Sequence, residues 1–214
     1  TSEYAIHLAI LASIYLILAQ SLNLTVGLGQ LFNLAHVASY AVGSYATALL
    51  ATESGASFGT CIAASVLVSG CLAFALGGIA LRLSSDYFAI GSIAFSSLVS
   101  ALLINWKSLT HGVLGIPGIP RPELGGFDFY QNQNFLILTF SCAILVQAIF
   151  FVLQKSWFGR SLRALAEYEE AALALGKNTS LLRIVAFLFS SIGAGLAGCL
   201  FAYYLNYIDP SSFS

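Results

Sequence analysis

Apolar residues run along this chain in long stretches, and polar positions gather between them. Six stretches stand out, at residues 5–26, 31–51, 60–81, 87–106, 135–154 and 182–206, each bounded by charges or by Gly, Pro, Asn and Ser. At about 1.5 Å of rise per residue, some 20 helical residues cross a hydrocarbon core of roughly 30 Å. Each stretch is therefore of spanning size. The period-two alternation that a membrane barrel needs is absent. What remains is a set of helices, since these satisfy their own backbone groups in lipid. The expectation is one all-α transmembrane domain over residues 1–214, a polytopic helical bundle.

Composition sharpens that picture. Of the 214 residues, 58% are hydrophobic and 8% charged, against roughly 25% charged in a soluble domain. Too few charges exist to cover a water-facing surface, so a soluble enzyme is excluded. A net charge of −1 and the lack of any Lys/Arg-rich run give no case for nucleic acid as a partner. The four cysteines, Cys61, Cys71, Cys142 and Cys199, lie inside apolar stretches without a C-x-x-C pair and read as packing residues. The chain starts at Thr1, lacks Met and shows no signal-peptide pattern, so its first stretch reads as a span and a longer natural protein is expected.

Charge placement orients the bundle. Five basic residues (Lys155, Arg160, Arg163, Lys177, Arg183) and three acidic ones (Glu167, Glu169, Glu170) share one loop, and the positive-inside rule puts that loop, 155–181 with its borders, in the cytoplasm. Parity then places the turn 82–86 inside, and Glu53, the segment 107–134 and both ends of the chain outside. Pro117, Pro120 and Pro122 stand in the outer segment, whose composition is that of ordered turns. It is expected to lie over the mouth of any pathway.

Polar residues within spans are costly and face a cavity or a partner helix. In the second stretch Asn33, His36, Tyr40, Gly43 and Thr47 fall at offsets of 0, 3, 7, 10 and 14, on one helical face, with Leu34, Val37, Ala41 and Ala48 opposite. Ser13, Gln20 and Asn23 share a stripe in the first stretch, and Ser92, Ser96 and Ser100 in the fourth. Two readings stay open. These stripes line a route for a polar, weakly charged solute, or they tie helices together by hydrogen bonds of about 1 kcal/mol or less each. The candidates for the route are Gln20, Asn23, Asn33, His36, Tyr40, Thr47, Ser92 and Ser96, with His36 a neutral ring offering one donor and one acceptor. The pairs Ser191/Gly195 and Ala194/Gly198 read as close helix packing. Gly27 and Gly29, followed by Gln30, predict a tight turn or a broken helix.

The loop carries a second pattern. Residues 160–175 are rich in helix formers, with Leu162, Leu165, Glu169, Ala172 and Leu175 on one side, predicting an amphipathic helix or pair of helices ended by Gly176 and Asn178. Acidic residues mixed with basic ones favour a protein partner over a lipid surface. Gly176-Lys177-Asn178 lacks the upstream Gly and the following Ser/Thr of a phosphate-binding loop, and no H-E-x-x-H occurs. The chain is thus expected to catalyse nothing itself, to hold no cofactor or metal, and to draw any ATP energy from another chain.

Three stretches resemble the permease subunits of bacterial ABC importers for branched-chain amino acids, in particular their M-type member. They are Ser21 to Tyr45 (SLNLTVGLGQLFNLAHVASYAVGSY), Leu81 to Ile90 (LRLSSDYFAI) with Ala94-Phe95, and Gly159-Arg160-Ser161-Leu162-Arg163-Ala164 running into Glu170-Ala171-Ala172 and Leu175-Gly176. Ala35 stands where a Gly before the His is usual. The resemblance implies a multi-pass subunit of the bacterial inner membrane, moving a small polar solute by alternating access. It also implies a second permease (homo- or heterodimer), two cytoplasmic ATPase subunits that bind the ATP, and a periplasmic solute-binding protein. By the same resemblance the third stretch is a coupling helix that meets an ATPase through Arg160, Arg163, Glu167, Glu170, Ala171, Ala172 and Gly176. The rival class is a stand-alone secondary carrier or channel for a small polar solute such as urea or an amide. An ion-coupled carrier usually has acidic residues within its spans, and here only Asp86 comes near one.

Overall fold

The computed structural model describes residues 2–80, 85–124 and 127–213. Residues 81–84, which hold most of the turn 82–86 and the start of the second resembling stretch, lie outside the described residues. Helix α1 (Ser2–Asn23) runs into a π-helical turn, Leu24–Leu28, and a non-helical link covers residues 29–35. Then come α2 (His36–Glu53), α3 (Phe58–Ala80), α4 (Ser85–Asn105) and the single turn α5 (Lys107–Thr110). After a stretch of short elements follow α6 (Asn132–Lys155), α7 (Trp157–Glu167), α8 (Glu169–Ala174) and α9 (Thr179–Leu205).

Five stretches are long and apolar enough to cross a membrane: Glu3–Leu28, Phe58–Gly78, Tyr87–Asn105, Asn132–Lys155 and Thr179–Leu205. Among the described residues, α2 is a sixth long helix, of 18 residues, and differs from the five because Ser, Thr, Tyr and Gly break up its apolar sequence. The second stretch was expected to be helical from residue 31. Its helix begins at His36 instead, because Leu31 to Ala35 spend their hydrogen bonds elsewhere: Leu31 N–H donates to Thr25 O (2.9 Å) and Leu34 N–H to Ser92 Oγ (3.1 Å). Of the two options at Gly27 and Gly29, the break in the helix is the one adopted.

Helix α9 is the axis of the bundle, packed on α1, α2 and α3, while α1 and α6 form a second pair and α4 lies at the edge against α2 and α3. Small residues let the backbones touch. A Cβ on Gly43 would lie 2.7 Å from Gly195 Cα, and one on Gly198 only 2.3 Å from Tyr40 O. Hydroxyls then cross the seams: Ser65 Oγ donates to Gly195 O (2.6 Å), Ser69 Oγ to Ser39 O (3.0 Å) and Ser44 Oγ to Gly198 O (3.0 Å), with Ser39 and Ser191 bonded to each other (3.0 Å). The four cysteines are free thiols, Cys61 and Cys199 buried and Cys71 exposed.

At one end of the bundle the segment 107–134 forms short strands that pair with each other or with the chain after α9. The strands are β1 (Ile116–Pro117), β2 (Glu123–Leu124) with β3 (Phe127–Asp128), and β4 (Tyr207–Ile208), which runs antiparallel to β1 with Ile116 opposite Ile208. Gly115 has φ +68 and a Cβ there would meet Ile208 O at 2.2 Å, so no other residue fits. Asn206, at φ +58 just past α9, accepts from Gly118 and Ile119 N–H and donates through Nδ2 to Ile119 O (2.6 Å). Arg121 Nη1 donates to Phe129 O (3.0 Å), Tyr130 O (2.9 Å) and Asn132 Oδ1 (3.1 Å). The proline-rich segment is thereby fastened to the ends of α6 and α9.

Candidate solute groove and docking surface

A groove of about 680 Å³ lies between α1, α2 and α4, bordered by Ser212 and Phe213 of the 3-10 turn Pro210–Phe213. Its wall alternates hydroxyls with aliphatic groups: Tyr15, Tyr40, Ser96, Ser97, Ser100 and Ser212 beside Leu18, Leu34, Val37 and Ile104. Tyr40 is held by its ring, 5.3 Å from both Phe201 and Phe213 between centroids. Its hydroxyl oxygen is buried and has no hydrogen-bond partner among the described residues. Leaving such a group unpaired costs about 1–3 kcal/mol.

Of the candidates for the route, Tyr40 and Ser96 line this groove. The others are placed differently. His36 is a tie between three helices: Nε2 lies 3.3 Å from Leu18 O and 3.1 Å from Ser21 Oγ, and Nδ1 3.2 Å from Ser190 Oγ. A carbonyl only accepts, so Nε2 carries the proton and Nδ1 accepts from Ser190. Thr47 Oγ1 donates back to Gly43 O (3.1 Å). Ser92 Oγ donates to Ala89 O (2.7 Å) and accepts from Leu34 N–H, pinning the link 29–35 to α4. Asn33 is buried in that link with neither side-chain atom hydrogen-bonded among the described residues. Gln20 is half-buried, and Asn23 is exposed, its Oδ1 lying over Gly27.

Except for Tyr40, the polar face of α2 (His36, Gly43 and Thr47) is thus turned into the bundle, and Leu34 and Val37, expected on the opposite side, line the groove. The reason is packing. Gly43 and Ser44 permit the close approach to α9 that bulkier residues forbid. Tyr15, Phe213 and Ser212 complete the groove without having been expected in it. Ser100 carried a sequence signal, its place in the α4 serine stripe, whereas the turn Pro210–Phe213 returns to α2 only through the fold.

The second site is the helix pair at the other end of α9. Ser156 caps α7 by accepting from Gly159 N–H, and the extended backbone of Tyr168 separates it from α8. Gly176, at φ +71, closes α8: its N–H donates to Leu173 O (2.9 Å) and that of Lys177 to Ala172 O (3.1 Å). Asn178 Oδ1 then caps α9 from Leu181 N–H (3.0 Å). Leu162, Leu165 and Ala172 are buried as expected of an apolar side, but Leu175 and Glu169 are exposed. The break at Tyr168 ends the helical phase on which their predicted alignment depended. Glu169 instead pairs with Arg183 at 2.8 Å.

Among the predicted coupling residues, Arg160, Arg163, Glu167, Glu170, Ala171 and Gly176 are exposed and Ala172 is buried. They share the surface with Tyr168, Leu173 and Leu175, three large side chains that are more than half exposed.

The family model for the branched-chain amino acid transport system, permease component, matches residues 4–214. The chain belongs to this permease family. It is 34% identical to the LivM permease protein of the high-affinity branched-chain amino acid transport system in Salmonella typhimurium, over 100% of this chain and 56% of the relative. The LivM protein of Escherichia coli matches with the same identity and the same shares. A probable LivM permease of Methanocaldococcus jannaschii is 32% identical over 80% of this chain and 51% of its own length. The chain therefore spans about half the length of the curated relatives it matches. No solved structure matches it. Five apolar helices and family membership make the chain part of a multi-pass inner-membrane transport permease with the polytopic helical fold expected.

Proposed function

We propose that this permease is the membrane subunit of an ATP-driven importer for branched-chain or other small polar amino acids, with ATP bound and hydrolysed by separate subunits. The helix pair α7–α8 supports this reading most strongly. It hangs outside the long apolar helices and is locked by a cap at each end. It shows a mixed surface in which charges (Arg163, Glu167, Glu170) stand beside exposed Tyr168, Leu173 and Leu175. A surface of that kind suits a protein cleft better than water or lipid.

Its inner side connects to the pathway. Leu162 is fully buried and its Cδ1 lies 3.6 Å from where a Gly29 Cβ would be, at the head of the link that leads to Asn33 and His36. A push on α7 from a closing ATPase pair would reach the link through this contact. The solute would follow the groove beside Tyr40 and Ser96, supplied from outside by a periplasmic binding protein and shared with a second permease subunit.

Single cysteines replacing Glu170 and Leu173 in the full-length permease should cross-link to an ATPase subunit in the assembled complex. Glu170→Lys should leave insertion intact and separate ATP hydrolysis from uptake. Cross-links to no ATPase would overturn the docking assignment, and uptake that needs no ATP would favour the stand-alone carrier.

A further inference from the structure

We propose that Tyr40 is the specificity-determining residue of the groove: with Ser96 and Ser100 on α4, its hydroxyl holds the head group of the solute by hydrogen bonds alone, without an ion pair. This inference rests on the amino-acid permease reading and adds to it a residue and a mode of recognition. Three observations carry it. Tyr40 lines the groove, and its hydroxyl oxygen is buried without a protein partner among the described residues; its neighbours cover it here, and a solute that parts them is what can satisfy it. The ring is fixed between Phe201 and Phe213, so little freedom is lost when the hydroxyl engages. None of the described residues lining the groove is charged.

The chemistry follows from that lining. A carboxylate accepts from the Tyr40 and serine hydroxyls, an ammonium donates to the serine oxygens, and Leu34, Val37 and Ile104 face the rest of the solute. A second charge on the solute would enter a low-dielectric wall with no counter-charge, which is costly. Among the described residues the other unpartnered tyrosine hydroxyl is on Tyr45, which borders a cleft whose further polar groups are the Trp106 indole N–H and the Thr110 hydroxyl, the latter already donating to Leu103 O. That cleft has no counterpart of the α4 serines, which both donate and accept, and the assignment goes to Tyr40.

The test uses the full-length permease assembled with its partners in proteoliposomes, with L-leucine, L-glutamate and L-lysine as probes. Tyr40→Phe keeps the ring contacts and removes only the hydroxyl. It should raise the half-saturating L-leucine concentration about tenfold or more, the weight of one hydrogen bond to a charged group, with a larger effect there than on the maximal rate. Independently, modification of Ser100→Cys by a thiol reagent should be slowed by L-leucine, less so when Tyr40→Phe is added, and little by L-glutamate or L-lysine. Unchanged half-saturation in Tyr40→Phe overturns the proposal, as does equal protection by a charged amino acid. The protection measurement needs no ATP. ATP-independent uptake by the unmutated complex would therefore count against the importer reading while this site is judged separately.

Discussion

Gly198 shows how little room the central seam allows: a methyl group there would lie 2.3 Å from Tyr40 O, 2.9 Å from Ser44 N and 2.9 Å from Ser44 Oγ, mostly backbone that cannot step aside. Gly198→Ala should therefore destabilise the bundle by about 1–3 kcal/mol through overpacking. Gly78→Ala, where nothing lies within 4 Å, should be neutral or gain up to about 1 kcal/mol from helix propensity. Melting curves of the two variants in detergent make the comparison, and equal effects would show that close approach is not what Gly198 provides. His36 behaves as a tie at the same scale. His36→Leu removes the partner of the buried Ser190 hydroxyl, at a cost of about 1–3 kcal/mol, whereas His36→Gln keeps a donor and an acceptor and should retain more of the stability. Equal melting temperatures for the Leu and Gln variants would mean that the ring contributes by packing alone.

Elements differ in how far their sequence announces them. The C-terminal end of the pair α7–α8 is legible because its breakers are local: Gly176 and Asn178 each act on a backbone group within a few residues, whereas the cap at Ser156 and the break at Tyr168 carry no such plain signal. The link 29–35 is not, since what holds it lies far away in sequence, at Ser92 on α4. The π-helical turn Leu24–Leu28 is closed locally, with Gly29 N–H reaching back five residues to Leu24 O at 3.2 Å. At the other end the turn Pro210–Phe213 is capped by Asp209, and its ionisation can be followed. Partial burial pulls this carboxyl upward, but hydrogen bonds from the Ser211 and Ser212 hydroxyls and the Ser212 amide outweigh it and hold it below its ordinary value of 3.8. A carboxyl depressed in the folded state contributes stability that is present above its unfolded value and lost as pH falls through the folded one. The melting difference between the native chain and Asp209→Asn should stay constant from about pH 8 to 5 and shrink only below about pH 4. A difference that already fades by pH 6 would assign the effect to another group.

At the scale of the whole molecule, span-sized apolar stretches and the lack of period-two patterning were enough to read a helical bundle, because membrane solvation constrains every backbone group. Which face of a helix meets its neighbour was not readable in the same way. In lipid, a stripe such as Asn33, His36, Tyr40, Gly43 and Thr47 serves equally to line water or to join helices, and only the three-dimensional positions of Ser21, Ser190 and Gly195 separate the two. Orientation rests on a different quantity, the asymmetry of basic residues. Lys155, Arg160, Arg163, Lys177 and Arg183 all lie between the end of α6 and the first turns of α9. Glu53, at the end of α2, and His111, beside α5, belong to the opposite side of the bundle by parity, and both are exposed. In intact cells, cysteines at Glu53 and His111 in the cysteine-free full-length permease should react with a membrane-impermeant thiol reagent, and one at Glu170 should react only after the membrane is opened. The side chain at 170 is exposed on α8, so protection there reports the bilayer and not burial. Labelling of position 170 from outside would reverse the orientation and, with it, detach α7–α8 from any cytoplasmic ATPase.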